Sequence, residues 1–299
     1  MNISIIGSNS LLATYIIDEL VNDDLTLTLY GKTDSSTKKS FSNHFKYFSY
    51  PDYIFNLEEL LSSDVIIYCA ANGVQANQKI PSTLIYKVNA FFPIEIINFL
   101  DDHDFKGKWI SFGSYFEIGN NIEHKNFTET EICTSMLQIP NEYCSSKRLL
   151  TRFLSNGVQR GKYFHFILPT IYGARENPNR LIPYIVNALK NELPLTLSAG
   201  KQIRQYIHCH DVARLVKLTI AKDLPPDVYN VAGDCGIQIK ELVTMIFNFF
   251  SKNAEPYLGT LNTRDENMLV LLTDNQKLVR QLTEWRAQIS LFDGIKEYL

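Results

Sequence analysis

Asn2-Ile-Ser-Ile-Ile-Gly7 runs straight into Ser8-Asn-Ser-Leu-Leu-Ala13: a short apolar strand, a glycine, and then the start of a helical period. This junction constrains the fold more than any other feature of the chain. A strand followed at once by a helix that packs over it needs a tight turn, and glycine makes such a turn without steric cost. The helix carries the chain back to the starting edge, so the next strand enters parallel to the first. The alternation recurs as far as Pro169, with strands expected at 3–6, 25–30, 45–48, 65–69, 109–112 and 164–168, and helices at 11–21, 57–61, 84–100 and 142–155. The fold class is therefore α/β, built from parallel βαβ units.

Beyond Pro169 the character changes. Pro178 and Pro183 flank the start of a helix at 182–190, followed by Pro194, an extended piece at 204–208 and a helix at 211–221. A further core strand is expected at 228–231, and surface helices at 240–250 and 274–282. We expect a first domain over 1–169, which the strand at 228–231 rejoins, and a smaller mixed domain over 170–299.

With 299 residues, 45% of them hydrophobic, the chain can bury one large or two modest cores. Its net charge is 29 minus 32, or -3, and it has no long basic run, which argues against a nucleic-acid partner. Its first residues read as a strand, so no secretion signal is expected. Apolar runs such as 64–71 fall far short of the roughly 20 residues that span a bilayer, so no membrane segment and a cytoplasmic location are expected. The five cysteines, 69, 133, 144, 209 and 235, are odd in number and scattered, as suits reduced thiols. His208-Cys209-His210 lies in an extended piece where neighbours point to opposite faces, so no metal site is expected there.

Gly7-Ser-Asn-Ser10-Leu11-Leu-Ala13 keeps glycine first and a small residue third in a pattern that sets backbone N–H groups and a helix N-terminus against a pyrophosphate. Ser10 stands where the backbone comes closest to phosphate and adds a hydroxyl. Gly7, Ser10 and Leu11 are the expected contacts, the alternative being an ordinary strand-to-helix turn. At the end of the second strand a carboxylate would accept from a ribose 2′-hydroxyl and repel a 2′-phosphate. Here the chain reads Tyr30-Gly31-Lys32-Thr33, with no acid before Asp34. This favours NADPH over NADH, with Lys32 as phosphate partner and Lys38 or Lys39 beside it, unless these lysines only solvate a loop.

Tyr-x-x-x-Lys occurs once, at Tyr143 and Lys147, on a stretch of helical period 29 residues beyond Ser114, which ends an apolar strand. Residues four apart share a helix face, so the pair can act together. A free phenol titrates near 10; a neighbouring ammonium and a positive nicotinamide are expected to lower that value and make Tyr143 a usable acid-base group. Ser114 would hydrogen-bond a substrate carbonyl oxygen, and Lys147 would also hold the nicotinamide ribose. The bland alternatives are an amphipathic residue at a helix start and a serine in a strand-end turn.

In this order the motifs resemble the extended short-chain dehydrogenase/reductases, the NAD-dependent epimerase/dehydratase family of nucleotide-sugar enzymes. The resemblance is carried by Cys69-Ala-Ala71, Tyr86-Lys-Val-Asn89, Ser111-Phe-Gly-Ser114, Tyr143-x-x-x-Lys147, Tyr172-Gly173, Gly200-Lys-Gln-Ile-Arg204, Asp211-Val212, Tyr229-Asn-Val231 and Arg264-Asp265. It implies a Rossmann-type doubly wound sheet holding the cofactor, and a C-terminal domain gripping a nucleoside-diphosphate sugar. It implies further that Ala70 and Asn89 serve the cofactor side, that Thr170 sits where a sugar-contacting Asn is frequent, and that Arg204 and Arg264 pair with the diphosphate. Surface salt bridges are the other reading of the two arginines. A homodimer through the helix bearing Tyr143 and the long helix before it is also implied.

Family dehydratases follow the catalytic hydroxyl with Asp-Glu, where this chain has Tyr115-Phe116, with Glu117 next. The segment 263–269 looks like that of reductases acting on nucleotide-linked 4-keto-6-deoxyhexoses, as in O-antigen sugars. The expected activity is NADPH-dependent 4-keto reduction. The alternatives are a 4-epimerase with tightly held NAD and a catalytically silent nucleotide-binding member of the family.

Overall fold

The computed structural model describes residues 1–21, 25–33, 44–49, 56–74, 79–157, 160–233, 235–261 and 267–299. Strands β1 (Asn2–Ile6), β2 (Thr26–Gly31), β3 (His44–Tyr47), β4 (Val65–Tyr68), β5 (Lys108–Ser114) and β6 (Lys162–Leu168) alternate with helical segments. After them come β7 (Thr170–Tyr172), β8 (Ile203–Arg204), β9 (Tyr206–His208), β10 (Val228–Asn230), β11 (Ile237–Gln238) and β12 (Val270–Leu271). The helices are α1 (Leu11–Leu20), α2 (Ser82–Tyr86), α3 (Phe92–Asp102), α4 (Glu129–Thr134), α5 (Glu142–Ser155), α6 (Leu181–Lys190), α7 (Cys209–Ala221), α8 (Ile239–Phe249), α9 (Gln276–Gln281) and α10 (Leu291–Lys296).

Seven strands form one parallel sheet in the order β10-β6-β5-β4-β1-β2-β3. The order reverses at β1, where sequential strands run outward on both sides; this switch point opens a crevice at the carboxyl ends of the strands. Successive side chains face opposite sides, so Ile5 and Ile67 enter one core with α1 and α7, while Ile6 and Ile66 enter the other with α3 and α5. A third core joins α6, α8 and α10. Both faces of the sheet are thus covered, which is why its strands read as unbroken apolar runs.

Two departures from the expected elements have physical causes. The single long helix expected at 84–100 runs from Ser82 to Asp102 with a wider π turn at Lys87–Phe91. Pro93 has no N–H to offer the carbonyl four residues back, and the turn ahead of it widens. At 21 residues and mean hydropathy 1.2, this run reaches the length and composition of a membrane span, contrary to the expectation that no apolar segment would. Half of it is buried inside the protein, with Val88, Ala90, Ile96, Ile97 and Leu100 in the core beside the sheet. The extended piece expected at 204–208 splits: β8 pairs with β11 and β12, while β9 pairs with β7.

Candidate active site

The turn after β1 closes on its neighbours tightly. Gly7 has φ +85°, and a Cβ there would lie 2.4 Å from the Ala70 nitrogen beyond β4. The N–H groups of Gly7 and Ser8 both donate to the Tyr30 carbonyl, at 2.8 and 3.0 Å. Ser10 caps α1, its hydroxyl accepting from the Ala13 N–H at 3.3 Å, and Leu11, half-buried, opens the helix. Ser10 also hydrogen-bonds the Cys69 thiol, which burial pushes up to about 12 and on which the Lys147 charge acts in the opposite sense. The glycine turn, the end of β4 and Lys147 therefore meet at the crevice. A cradle that only glycine can line, backed by a capped helix N-terminus, fits the pyrophosphate of a dinucleotide.

At the end of β2 the exposed Lys32 is held by a residue that the sequence reading passed over. Asn9 Oδ1 accepts from the Lys32 and Thr33 N–H groups at 2.6 and 3.1 Å, while Nδ2 donates to the Thr33 carbonyl and hydroxyl at 2.8 and 3.0 Å. Lys38 and Lys39 lie outside the described residues. Asn89, in the π turn, is fully buried: its Oδ1 accepts from Asn72 N–H, and its Nδ2 donates to the Asn72 carbonyl and to Ser146 Oγ. With those atoms committed, Asn89 fixes the loop after β4 to α5.

Ser114 ends β5, and Tyr143 and Lys147 lie on α5, whose start is capped by Asn141 Oδ1 accepting from the Cys144 N–H. Ser114 reaches the Tyr143 phenol by a hydrogen bond. Burial, with smaller pushes from Cys144 and then Glu117, holds that phenol above its ordinary value; the Ser114 hydrogen bond and the Arg180 charge work against this. Among the protein's own groups, desolvation of the phenolate is the largest influence on Tyr143, and it acts opposite to the lowering expected from an ammonium and a nicotinamide. Lys147 is buried, donates to the Phe112 carbonyl at 2.8 Å, and is lowered by burial, with Glu117 supporting its charged form.

Behind Ser114 lies a polar cluster. The fully buried Glu117 accepts from the Ser114 N–H through Oε1 at 2.6 Å, while its Oε2 meets no donor among the described residues. Thr151 hydrogen-bonds this carboxyl and also His165 Nε2 at 2.9 Å, and His165 Nδ1 pairs with Ser111 Oγ at 2.8 Å.

On the other side of the crevice Thr170 is bonded to the Tyr115 hydroxyl at 2.7 Å. Arg204 is buried and donates to the carbonyls of Ile203, Met268 and Leu269, with its guanidinium 5.8 Å from the Phe116 ring centroid. It is therefore no surface salt bridge. Arg264 lies outside the described residues. Arg180, which the sequence reading missed, is half-buried before α6; Glu176 holds its Nε at 2.9 Å, its Nη2 donates to the Ile171 carbonyl, and its charge reaches Tyr143, Tyr115 and Tyr206. An arginine opening an apolar helix gives no sequence signal of that reach. The two histidines flanking Cys209 diverge, His208 toward Glu297 and His210 toward Glu19.

Comparison with known proteins bears on this site. Residues 3–232 match the family model described as the NAD dependent epimerase/dehydratase family. The chain is 22% identical to a CDP-abequose synthase of Salmonella muenchen, over 82% of this chain and 80% of that protein. It is 24% identical to the human dTDP-D-glucose 4,6-dehydratase, over 58% of this chain but only 50% of the relative. Among solved structures, a dTDP-glucose 4,6-dehydratase of Bacillus anthracis in complex with NAD superposes with a TM-score of 0.81 at 16% identity, covering 100% of this chain and 95% of that one. A UDP-glucose 4-epimerase of Thermotoga maritima, with UDP-glucose, gives 0.80 at 18% identity, covering 100% and 97%. With a parallel sheet of this order, a glycine turn at its crevice and a family match over 230 residues (3 to 232), the chain belongs to the NAD dependent epimerase/dehydratase family.

Proposed function

We propose that this protein is an oxidoreductase that uses NADPH to reduce the 4-keto group of a nucleotide-linked 4-keto-6-deoxyhexose, making an activated deoxysugar for surface polysaccharide. The observation that carries this reading is the fate of the three residues after Ser114. Tyr115 is spent on Thr170, Phe116 lies beneath Arg204, and Glu117 is sealed behind the strand with its carboxyl on the Ser114 backbone. No carboxylate of this segment faces the crevice to perform the elimination of a dehydratase. The relatedness to a CDP-abequose synthase over four-fifths of both chains supports the same reading.

When bound, a reduced nicotinamide supplies hydride to a carbonyl carbon. The residues of this chain do the rest. Ser114 holds the carbonyl oxygen beside the Tyr143 phenol, whose high proton affinity keeps it in the donor form at neutral pH. As the oxygen gains charge, Tyr143 gives it a proton, and Lys147 on the same helix face supplies the nearby ammonium that stabilises the phenolate left behind. Gly7, Ser10, Leu11 and Ala70 cradle the dinucleotide, Asn89 fixes the loop beside it, and Lys32, on the turn held by Asn9, meets a 2′-phosphate. Thr170, Arg204 and Arg180 stand on the substrate side, and with Arg264, which lies outside the described residues, two or more guanidiniums would suit a diphosphate.

With this activity we assign residues 1–169 and β10 to the dinucleotide domain and 170–299 to the nucleotide-sugar domain, in a cytoplasmic homodimer. The absence of an acid between Tyr30 and Thr33 fits a cofactor that exchanges each cycle better than NAD kept through an epimerase cycle. The test is to denature the purified protein and assay the supernatant for dinucleotide. A reductase releases little and binds added NADPH, whereas one equivalent of captive NAD would establish the epimerase in its place.

A further inference from the structure

Glu117 is the one carboxylate whose charge acts on both Tyr143 and Lys147 among the influences resolved at the two groups. It is fully buried three residues after Ser114, where β5 meets α5. Burying an isolated carboxylate is costly, and burial pushes Glu117 up to about 7, so its charge is in place on the alkaline side of neutrality, where the alkaline limb of the rate profile is read. The surroundings are arranged around that charge. A Cβ on Gly113 would lie 2.8 Å from Glu117 Oε1 and 2.7 Å from His165 Nε2, so glycine is what lets the two side chains in under the strand. One proton arrangement satisfies the chain behind it: Ser111 Oγ–H donates to His165 Nδ1, His165 Nε2–H to Thr151, and Thr151 Oγ–H to the Glu117 carboxylate. Every donor then points toward Glu117, and His165 ends up neutral, as burial already requires of it.

We propose that Glu117 is a positioning residue: its carboxylate holds the Ser114 backbone in place and is the buried counter-charge that keeps Lys147 an ammonium and Tyr143 a phenol during turnover. The proposal rests on the reductase reading of Ser114, Tyr143 and Lys147. The groups that face or electrostatically reach Glu117 are Tyr143, Lys147, Arg148 and Thr151 from α5, Cys133 from α4, His165 from β6 and the Ser114 N–H from β5. Arg148, itself buried, donates from Nε to the Glu117 carbonyl at 2.7 Å and braces the same turn.

The two effects of the charge have the same sign. Its removal makes Lys147 give up its proton at lower pH, and makes Tyr143 do likewise, because both are held in their protonated forms by a neighbouring negative charge. Ketone reduction needs both protonated, so the alkaline limb of the rate profile moves to lower pH.

The experiment compares Glu117→Gln with Glu117→Asp and the wild type, recording kcat against pH for ketone reduction. Gln can accept from Ser114 N–H without charge, and is expected to move the alkaline limb down by about one pH unit, the lower end of what a nearby opposite charge does. Asp keeps the charge on a shorter arm and is expected to hold the wild-type limb while kcat falls. Superimposed limbs for wild type and Glu117→Gln, or an equal shift in Glu117→Asp, would overturn the proposal. If Glu117→Gln does not fold, Thr151→Val replaces it: the carboxyl without that donor ionises less, so a smaller downward shift is expected, and an unmoved limb counts against the proposal. Should the wild type reduce no sugar offered, the limb is read from dinucleotide binding against pH, where Lys147 is the titrating group; a shift there in Glu117→Gln sustains the role of Glu117 while the reductase reading fails.

Discussion

Gly113→Ala tests how tightly the polar cluster under β5 is built. Gly113 has an ordinary negative φ, so the substitution carries no backbone strain; its whole effect is the space one methyl needs. That methyl would sit 2.7 Å from His165 Nε2, 2.8 Å from Glu117 Oε1 and 3.1 Å from Thr151 Oγ1. None of these atoms is the tip of a free surface side chain, since each is buried and hydrogen-bonded. Forcing a methyl into a packed interior costs about 1–3 kcal/mol. Parting one buried hydrogen bond, Thr151 to His165 or Glu117 to the Ser114 N–H, adds about 1–3 kcal/mol. Because relief of one reduces the other, we expect about 2–4 kcal/mol in all. At roughly 2.1 cal/mol/K per residue, 299 residues give about 0.6 kcal/mol/K of unfolding entropy, so Tm should fall by about 3–6 °C. Scanning calorimetry at pH 7.5 measures the shift, and the ketone-reduction assay should show kcat reduced with the displaced Ser114. A Tm within 1 °C of wild type, with turnover unchanged, would refute the picture of a filled polar cluster.

Three further outcomes follow from the same geometry. Tyr143→Phe should lose about 10²–10⁴-fold in kcat, the usual worth of a positioned acid, with an unchanged circular dichroism spectrum and dinucleotide affinity; full activity would remove Tyr143 from the mechanism. Lys32→Ala should cut the preference for NADPH over NADH by about tenfold, the worth of one partly exposed ion pair, and a ratio that does not move in paired binding titrations would return Lys32 to an ordinary surface role. His165 is held by burial down at about 3, below the 6.5 of an unfolded histidine. Its neutral form therefore stabilises the fold above pH 6.5, and that contribution is lost as pH falls toward 3, where the unfolded chain binds the extra proton. Tm between pH 6.5 and 4 should fall less steeply in His165→Gln than in wild type; parallel curves would contradict the assignment.

The parts legible in the sequence are those where one residue type is forced by local geometry. Gly7 is readable because the turn needs φ +85° and admits no Cβ, and the strand runs are readable because a sheet covered on both faces has no polar side to show. Tyr143 and Lys147 are readable because four residues on a helix is one face. What was missed depends on which way a side chain turns once it is folded. Glu117 in sequence is simply an acid near Ser114; the pairing of β5 with β6 places His165 beside it, and the packing of α5 against β5 adds Thr151. Arg204 in sequence suits a diphosphate, yet three backbone carbonyls hold its guanidinium. Asn9 gives no periodic signal at all, and its role comes from a loop 23 residues away. The raised phenol of Tyr143 among the protein's own groups was not legible, because desolvation cannot be seen in spacing.

The most direct test of the central claim is NADPH consumption, followed by ultraviolet absorbance, with TDP-, CDP-, GDP- and UDP-linked 4-keto-6-deoxyhexoses generated in situ by matching dehydratases. The account predicts stoichiometric oxidation of NADPH with one of these sugars, and much slower oxidation of NADH. No oxidation of either dinucleotide with any of the four would contradict it.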